Sequence, residues 1–248
     1  MTMPGLSLRY FGTSAFEIVT EGGKRVVIDP CITGWNGKNI SPVPLDDVVN
    51  VDLILVTHAA PDHFGDTLEL LRRSRADVVC DPAVQYILLD SGIAPERISV
   101  TVWGMVRDLG GVVVRCVESK HVSCTRYKGQ LITGLPNGYL VTAETGRTVY
   151  HPGDTAIFSD MKLFGQLYKP EAGLLPISGF PGIPAEMSIE EAALATEWLK
   201  LRTVVPMHYE LGSAEPAEFV SAVKRTAPWT RVLVPAPGEW ISLPGHTA

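Results

Sequence analysis

Followed from its start, the chain alternates short apolar runs with polar turns. Residues 6–10, 15–20 and 25–28 have the composition of strands, separated by Gly12 and by the turn Glu21-Gly22-Gly23-Lys24. Asp29-Pro30 ends the third run, and a Gly/Asn/Pro-rich loop covers residues 34–44. Residues 51–56 form a nearly continuous apolar run, the pattern of a strand buried on both faces. A short helix is predicted over 66–73, a strand over 78–80, and a helix over 82–91 closed by Gly92. Residues 98–102 and 111–117 read as strands, and 139–142 and 148–150 flank the hairpin signal Glu144-Thr145-Gly146-Arg147.

The second half mixes both periods. A strand is predicted over 173–177 and a helix over 188–201, where Ser188 is placed to cap, Glu190 and Glu191 occupy the first turn, and Ala192, Leu194, Ala195 and Leu199 supply apolar positions. A strand over 203–205, a helix over 216–225, and strands over 232–234 and 240–243 complete the chain. With no internal repeat and no hydrophilic linker, the pattern predicts one domain, residues 1–248, with a sheet-rich core flanked by helices. Strand order is left open by it.

Composition narrows the class of function. Among 248 residues, 46% are hydrophobic and 19% charged, enough apolar material for a substantial core. The net charge of -6, without a basic block, argues against nucleic acid as a partner. No apolar run reaches the length that crosses a bilayer, and the first residues lack a basic start followed by an apolar stretch. Cys31, Cys80, Cys116 and Cys124 are widely spaced with no CxxC pair, so reduced thiols in a cytoplasmic protein are expected. The expected partner is a small-molecule substrate, with neither membrane nor nucleic acid.

The histidines sharpen this. Five of six fall at or beside predicted strand ends: His58 and His63 in THAAPDHFGD, His121, His151 in YHPGD, and His208 in VPMHY; His246 looks incidental. Any one alone reads equally well as a surface or hydrogen-bonded residue. Together with Asp62 and Asp154 they read as ligands gathered from separate loops, because neutral imidazole binds zinc and related metals and is costly to bury unpaired. In the bent loop after Thr57, Asp62 and His63 can serve one ion, with His208 and Asp154 completing it and room left for water.

These motifs, with YFGTSAFEIVTEGGKRVVIDP near the start and LLPISG at 174–179, resemble those of the metallo-beta-lactamase-fold superfamily. Within it the chain looks closest to small cytosolic metal-dependent hydrolases related to ascorbate-6-phosphate lactonase. The resemblance implies an α/β fold, a four-layer αββα sandwich with metals at one edge between two sheets. Because related proteins often assemble, the resemblance also makes a homo-oligomer a family expectation for this chain. In the family loop H-x-H-x-D-H, His58 matches the first position, Asp62 and His63 the last two, and Ala60 stands where the second histidine would be. His121 then resembles the third ligand of a first site, Asp154 a bridging carboxylate, His208 the last ligand of a second site, and Asp29 a buttressing carboxylate. Gly12-Thr13-Ser14 and the segment 178–187 also depart from the family pattern.

Because an alanine donates no electron pair, one tightly held metal is expected, at Asp62, His63, His208 and Asp154, with His151 or Cys124 as conceivable replacements for the missing imidazole. Zinc is the expected ion, one or two per chain, with Mn2+, Fe2+, Co2+ and Ni2+ as further options. An empty first site would leave His58 and His121 as proton carriers beside the reaction, so His58, His121 and Asp62 are the expected catalytic residues. The chemistry expected is hydrolysis of an ester, lactone or amide of a small organic molecule by metal-activated water. Alternatives are a noncatalytic metal-binding or regulatory protein on the same fold, motivated by the lost ligand, and a phosphoester hydrolase using Lys120, Arg126 and Lys128. Nuclease and oxidoreductase readings are disfavoured by the acidic charge and by the absence of a clear redox partner. Trp35, Phe64, Phe158, Phe164 and Phe180 could line a substrate mouth or equally belong to the core.

Overall fold

The computed structural model describes residues 5–35, 37, 40–179 and 185–243. The first half runs β1 (Ser7–Gly12), β2 (Ala15–Val19), β3 (Arg25–Ile28), β4 (Leu53–Leu55), α1 (Pro61–Phe64), α2 (Thr67–Arg73), β5 (Asp77–Cys80), α3 (Pro82–Asp90) and β6 (Ile98–Val100). The second continues with β7 (Val106–Leu109), β8 (Val112–Glu118), β9 (Ser123–Tyr127), β10 (Gln130–Gly134), β11 (Asn137–Thr142), β12 (Thr148–His151) and α4 (Met161–Leu167). It ends with β13 (Ala172–Pro176), α5 (Ile189–Trp198), β14 (Thr203–Met207), α6 (Glu215–Thr226), β15 (Arg231–Val232) and β16 (Trp240–Ser242).

Two seven-stranded sheets result, ordered β16-β1-β2-β3-β4-β5-β6 and β15-β14-β13-β12-β11-β8-β7, with β9 and β10 as a separate hairpin. Each is mixed in the same way. In the first, β16, β1, β2 and β3 pair antiparallel and β3 to β6 parallel; in the second, β7, β8, β11 and β12 pair antiparallel and β12 to β15 parallel.

Burial explains the continuous apolar runs. In β3 and β4, Val26, Ile28, Leu53 and Leu55 join the core that also holds Val114, Tyr139 and Leu174 of the second sheet. Their neighbours Val27 and Ile54 join a second core with Leu70 and Leu71 of α2 and Val84 and Leu88 of α3. Successive side chains of a strand point to opposite faces, so a strand covered on both sides has no position left for a polar residue. On the far side, Ala192 and Ala195 of α5 and Phe219 and Ala222 of α6 pack with the second sheet. The outcome is the helix-flanked pair of sheets expected of an α/β sandwich. α5 starts where the sequence predicts: Ser188 accepts from Glu191 N and the Glu191 carboxylate accepts from Ser188 N, a reciprocal cap.

Four elements escape the pattern: α1, α4, β7 and the β9–β10 hairpin. The hairpin has no clean apolar alternation because most of its side chains are exposed or half-buried. It turns at Lys128 and Gly129, both with positive φ. Helix α1 spans four residues, too few to show a period.

The architecture decides where chemistry can occur. Loops leaving the carboxyl ends of β3, β4, β12, β13 and β14 emerge on the same edge of the sandwich, the place where open α/β sheets collect ligands.

Candidate metal centre

Asp154 is the focus of that edge. Its Oδ2 lies 3.1 Å from His63 Nε2, 3.3 Å from His208 Nε2, 3.8 Å from His58 Nε2 and 3.9 Å from His121 Nε2. Asp62 Oδ2 is 3.5 Å from His208 Nε2 and 3.8 Å from His63 Nε2. Two groups of donor atoms follow, Asp62-His63-Asp154-His208 and His58-His121-Asp154, each with all its atoms within 4.8 Å of one another and sharing Asp154.

The backbone is bent to bring this about. His208 has φ 56 and Asp29 φ 48, in the left-handed region that non-glycine residues seldom occupy. His208 is held there by its N–H donating to Thr13 O at 2.8 Å and its Nδ1–H donating to Ser178 O at 3.0 Å. Such strain survives where surrounding contacts over-determine it, and it collects at functional sites. Gly153 lets the Asp154 loop pass against Thr57: with φ 64, a Cβ there would lie 2.7 Å from Thr57 Cβ and 2.8 Å from its Oγ1.

Asp29, fully buried, buttresses the β4 loop. Its Oδ1 accepts from Thr57 N at 2.8 Å, and its Oδ2 accepts from Thr57 Oγ1 and from His63 Nδ1–H, both at 2.7 Å. Ser119 Oγ donates to Asp154 O at 2.6 Å, and Ala59 N donates to Ser123 Oγ at 3.1 Å. These contacts fix the loops that carry His121 and His58.

Electrostatics follow from burial and crowding. Burial opposes charge on His63, yet Asp154, Asp29 and Asp62 raise it well above the usual imidazole range. His208 is likewise opposed by burial and pushed up to about 9 by Asp154 and Asp62. Burial, then the neighbouring His63, pushes His58 down to about 3. Burial also lowers His121 and His151. Burial would raise the Asp154 carboxyl, but His208 and His63 hold it well below its usual value; Asp62 and Asp29 are held low mainly by His63 in the same way. Without metal, the cluster balances its carboxylates with imidazolium protons.

A divalent ion fits this donor set. His58 Nε2, His63 Nε2, Asp62 Oδ2 and Asp154 Oδ1 are buried and make no hydrogen bond of acceptable geometry, an arrangement that is costly unless a cation is to satisfy it.

The expectation of a depleted first site is corrected. His58, His121 and Asp154 come together as a three-donor group beside the four-donor group, so the His/Asp cluster is complete without a ligand at position 60. Ala60 serves through its backbone: as the residue preceding α1, its carbonyl accepts from His63 N at 3.0 Å and Phe64 N at 2.8 Å. The single-metal reading and free imidazoles at His58 and His121 therefore fall, and the lost ligand that motivated a noncatalytic reading falls with them. Neither suggested replacement is used. His151 donates from Nε2 to Ser14 O and accepts from Gly153 N at Nδ1, which leaves no donor atom for a metal. Cys124 sits within β9 and joins neither donor group.

Other candidates are placed as well. Lys120 pairs with Glu118 and Lys128 with Asp90, both at 2.6 Å. Phe64 packs on the outer core and Phe158 and Phe164 on the central one, while Trp35 is half-buried. His246 and residues 180–184 of the segment 178–187, Phe180 among them, lie outside the described residues. Three participants were not singled out from sequence: the Thr57 hydroxyl, the Ser178 carbonyl and Glu186. The Glu186 carboxyl is raised by burial and by Asp154. Only Thr57 had a visible signal, its place directly before His58.

The model of the beta-lactamase superfamily domain matches residues 24–209, three quarters of the chain and nearly all of the loops described. The chain belongs to the metallo-beta-lactamase superfamily. Within the superfamily it is 37% identical over 206 residues to a UPF0173 metal-dependent hydrolase of Methanosphaera stadtmanae, covering 82% of this chain and 84% of that protein. A UPF0173 metal-dependent hydrolase of Pyrococcus horikoshii is 39% identical over 242 residues, covering 96% and 100%. The structure of Igni18, a metallo hydrolase from Ignicoccus hospitalis, aligns with a TM-score of 0.80 at 32% identity, covering 97% of this chain and 99% of that one.

Proposed function

We propose that the protein is a metal-dependent hydrolase that acts on a small organic molecule through metal-activated water. The observation that carries this reading is the convergence of four imidazole Nε2 atoms on one carboxylate oxygen, Asp154 Oδ2. Asp62, His63, Asp154 and His208 would hold one ion, and His58, His121 and Asp154 the other. A bound divalent ion supplies Lewis acidity and lowers the pKa of the water it holds. Nitrogen and carboxylate donors without thiolate suit zinc, and Mn2+, Fe2+, Co2+ or Ni2+ are compatible with them.

The chain's own residues prepare the edge for this. Asp29 and the Ser178 carbonyl orient His63 and His208 through Nδ1, so that Nε2 faces Asp154. A groove of ≈ 1120 Å³ between the starts of α5 and α6, with Glu186, Met187 and Glu215 in its lining, reaches the centre at Ser178, whose carbonyl accepts from His208. Its acidic wall and the net charge of -6 favour a small molecule over nucleic acid as partner. Among the described residues no helix is long and apolar enough to cross a membrane. Four free cysteines fit a cytoplasmic setting. The finer likeness to the ascorbate-6-phosphate lactonase group rests on the motifs alone.

The test is metal analysis of protein purified without chelator, followed by a hydrolysis screen of small organic substrates after reconstitution with each ion. Turnover that needs metal, and is abolished by His208→Ala but kept by the exposed-surface control Glu96→Ala, is the expected result. Folded protein that takes up no divalent ion, or hydrolysis indifferent to both chelation and His208→Ala, would overturn the reading.

A further inference from the structure

Thr57 lies two residues past the end of β4 and is fully buried, and its Oγ1 has three polar neighbours: Asp29 Oδ2 at 2.7 Å, His58 Nδ1 at 3.1 Å and His63 Nδ1 at 3.3 Å. A hydroxyl has one proton and two lone pairs. The carboxylate can only accept, and it is the nearest neighbour, so the proton points to Asp29. The lone pairs are then left facing His58. At 3.1 Å a bare Nδ1 would set lone pair against lone pair, whereas Nδ1–H makes a hydrogen bond. His63 needs no such help, because its own Nδ1–H donates directly to Asp29 Oδ2 at 2.7 Å.

We propose that Thr57 is a positioning residue for the His58-His121-Asp154 group of donors: its hydroxyl relays the acceptor character of Asp29 to His58, fixing the Nδ1–H tautomer so that the His58 Nε2 lone pair faces Asp154. His58 makes no other hydrogen bond through Nδ1 among the described contacts, and its Nε2 makes none of acceptable geometry. One buried carboxylate thus orients ligands of both groups, His63 directly and His58 through one hydroxyl. The backbone supports the relay. Thr57 O accepts from Asn137 N at 2.8 Å, and the missing side chain of Gly153 leaves room for the Thr57 methyl. The inference rests on the proposed metal centre for its consequence but not for its geometry.

The test has two arms. In metal-free wild type, nitrogen-15 NMR of labelled histidine reads the tautomer directly; His58 as Nδ1–H is the expected result, and His58 as Nε2–H overturns the proposal whether or not the protein binds metal. The second arm compares Thr57→Val, which keeps the shape and removes the hydroxyl, with Thr57→Ser, which keeps the hydroxyl. Stepwise zinc titration against a chromophoric chelator should show Thr57→Val binding about 10–100-fold more weakly at one step, the usual cost of losing a partner that orients a ligand. The other step should change less than about 3-fold, with Thr57→Ser restoring both steps. A Thr57→Val protein with both steps at wild-type affinity would overturn the proposal. Wild type with the Nδ1–H tautomer but no zinc binding would instead refute the metal reading and leave the tautomer relay standing.

Discussion

Asp154→Asn is the most discriminating perturbation of the proposed centre. The carboxylate belongs to both donor groups, so its loss takes one from four donors to three and the other from three to two. Asp62→Asn is the matched control, because it removes a charged donor from the first of these groups and leaves His58, His121 and Asp154 intact. Removing an outer partner of a ligand typically costs about 10–100-fold in affinity, so losing a direct charged donor should cost at least about 100-fold. At a metal concentration about 1,000 times Kd, binding stabilises the folded state by about 4 kcal/mol per site; a ~100-fold weaker site at that concentration retains about 1.4 kcal/mol. The difference, about 3 kcal/mol for each weakened site, corresponds to a fall in metal-loaded Tm of roughly 5–10 °C for Asp62→Asn and about twice that for Asp154→Asn in a chain of this size. The assay is paired: metal stoichiometry by elemental analysis, and thermal unfolding with zinc and with chelator. Wild type should show two ions and a large chelator-sensitive shift. Asp62→Asn should weaken one ion, and Asp154→Asn both. If Asp154→Asn retained two ions with an undiminished shift, the shared-carboxylate geometry would be wrong.

Three further outcomes follow from the same structure. Metal uptake should strengthen with pH up to about 9: His208, raised to about 9, and His63, raised as well, are protonated in the metal-free protein and must release those protons, so apparent affinity falls as pH falls, by about tenfold per unit for each proton displaced. Chelator-competition titrations at pH 6, 7, 8 and 9 check this, and a flat profile would refute it. Asp81 caps α3 by accepting from Val84 N at 2.9 Å through Oδ1, while its buried Oδ2 makes no hydrogen bond and burial raises its pKa. A raised carboxyl contributes stability below the unfolded value and loses it as pH rises through the folded one. Asp81→Asn should therefore gain about 1 kcal/mol over wild type at pH 7.5, shrinking as pH falls toward 4, in urea unfolding. Gly134 closes β10 against α3, where a Cβ would lie 2.0 Å from Asp81 Oδ2 and 2.9 Å from Ala83 N and Cβ. Gly134→Ala should cost about 2–3 kcal/mol in the same assay, and a change under about 0.5 kcal/mol would show that the hairpin can shift away.

The strands of the two sheets, except the half-exposed edge strand β7, were legible because β3, β4 and the strands paired with them are covered on both faces, and continuous apolar runs record that coverage. The centre was legible for a related reason. A polar residue at the end of such a run, as with Asp29, the pair Thr57-His58 and His208, has left the sheet at its ligand-collecting edge. What the pattern could not carry were contacts made by backbone groups, such as Thr13 O and Ser178 O on His208, since any residue supplies a carbonyl. Ala60 misled for the same reason. Counting side chains along a motif treated position 60 as a loss, whereas its carbonyl starts α1 and the remaining donors assemble around Asp154. The β9–β10 hairpin was invisible because it packs on α3 along a partly exposed face and needs no apolar alternation.

Each sheet contributes three of the six donors to this edge, and that has a consequence for how the centre is kept rigid. Asp29, Asp62, His63 and His58 come from the first sheet, and Asp154, His208 and His121 from the second, so every donor pair around Asp154 Oδ2 except those with His208 or His121 spans the sandwich. Their spacing is therefore set by the packing of the central core, where Phe16, Leu55, Tyr139 and Leu174 are all under 2% exposed. Close-packed interiors shift little without loss of stability. One donor, His208, also sits on left-handed backbone, and the carbonyls of Thr13 and Ser178 that hold it there follow β1 and β13, one strand from each sheet. A core truncation such as Leu55→Ala, which removes no polar contact, should then lower metal affinity together with its stability cost of about 2–5 kcal/mol. Affinity unchanged in a folded Leu55→Ala protein would mean that the loops, not the sheets, set the geometry of the centre.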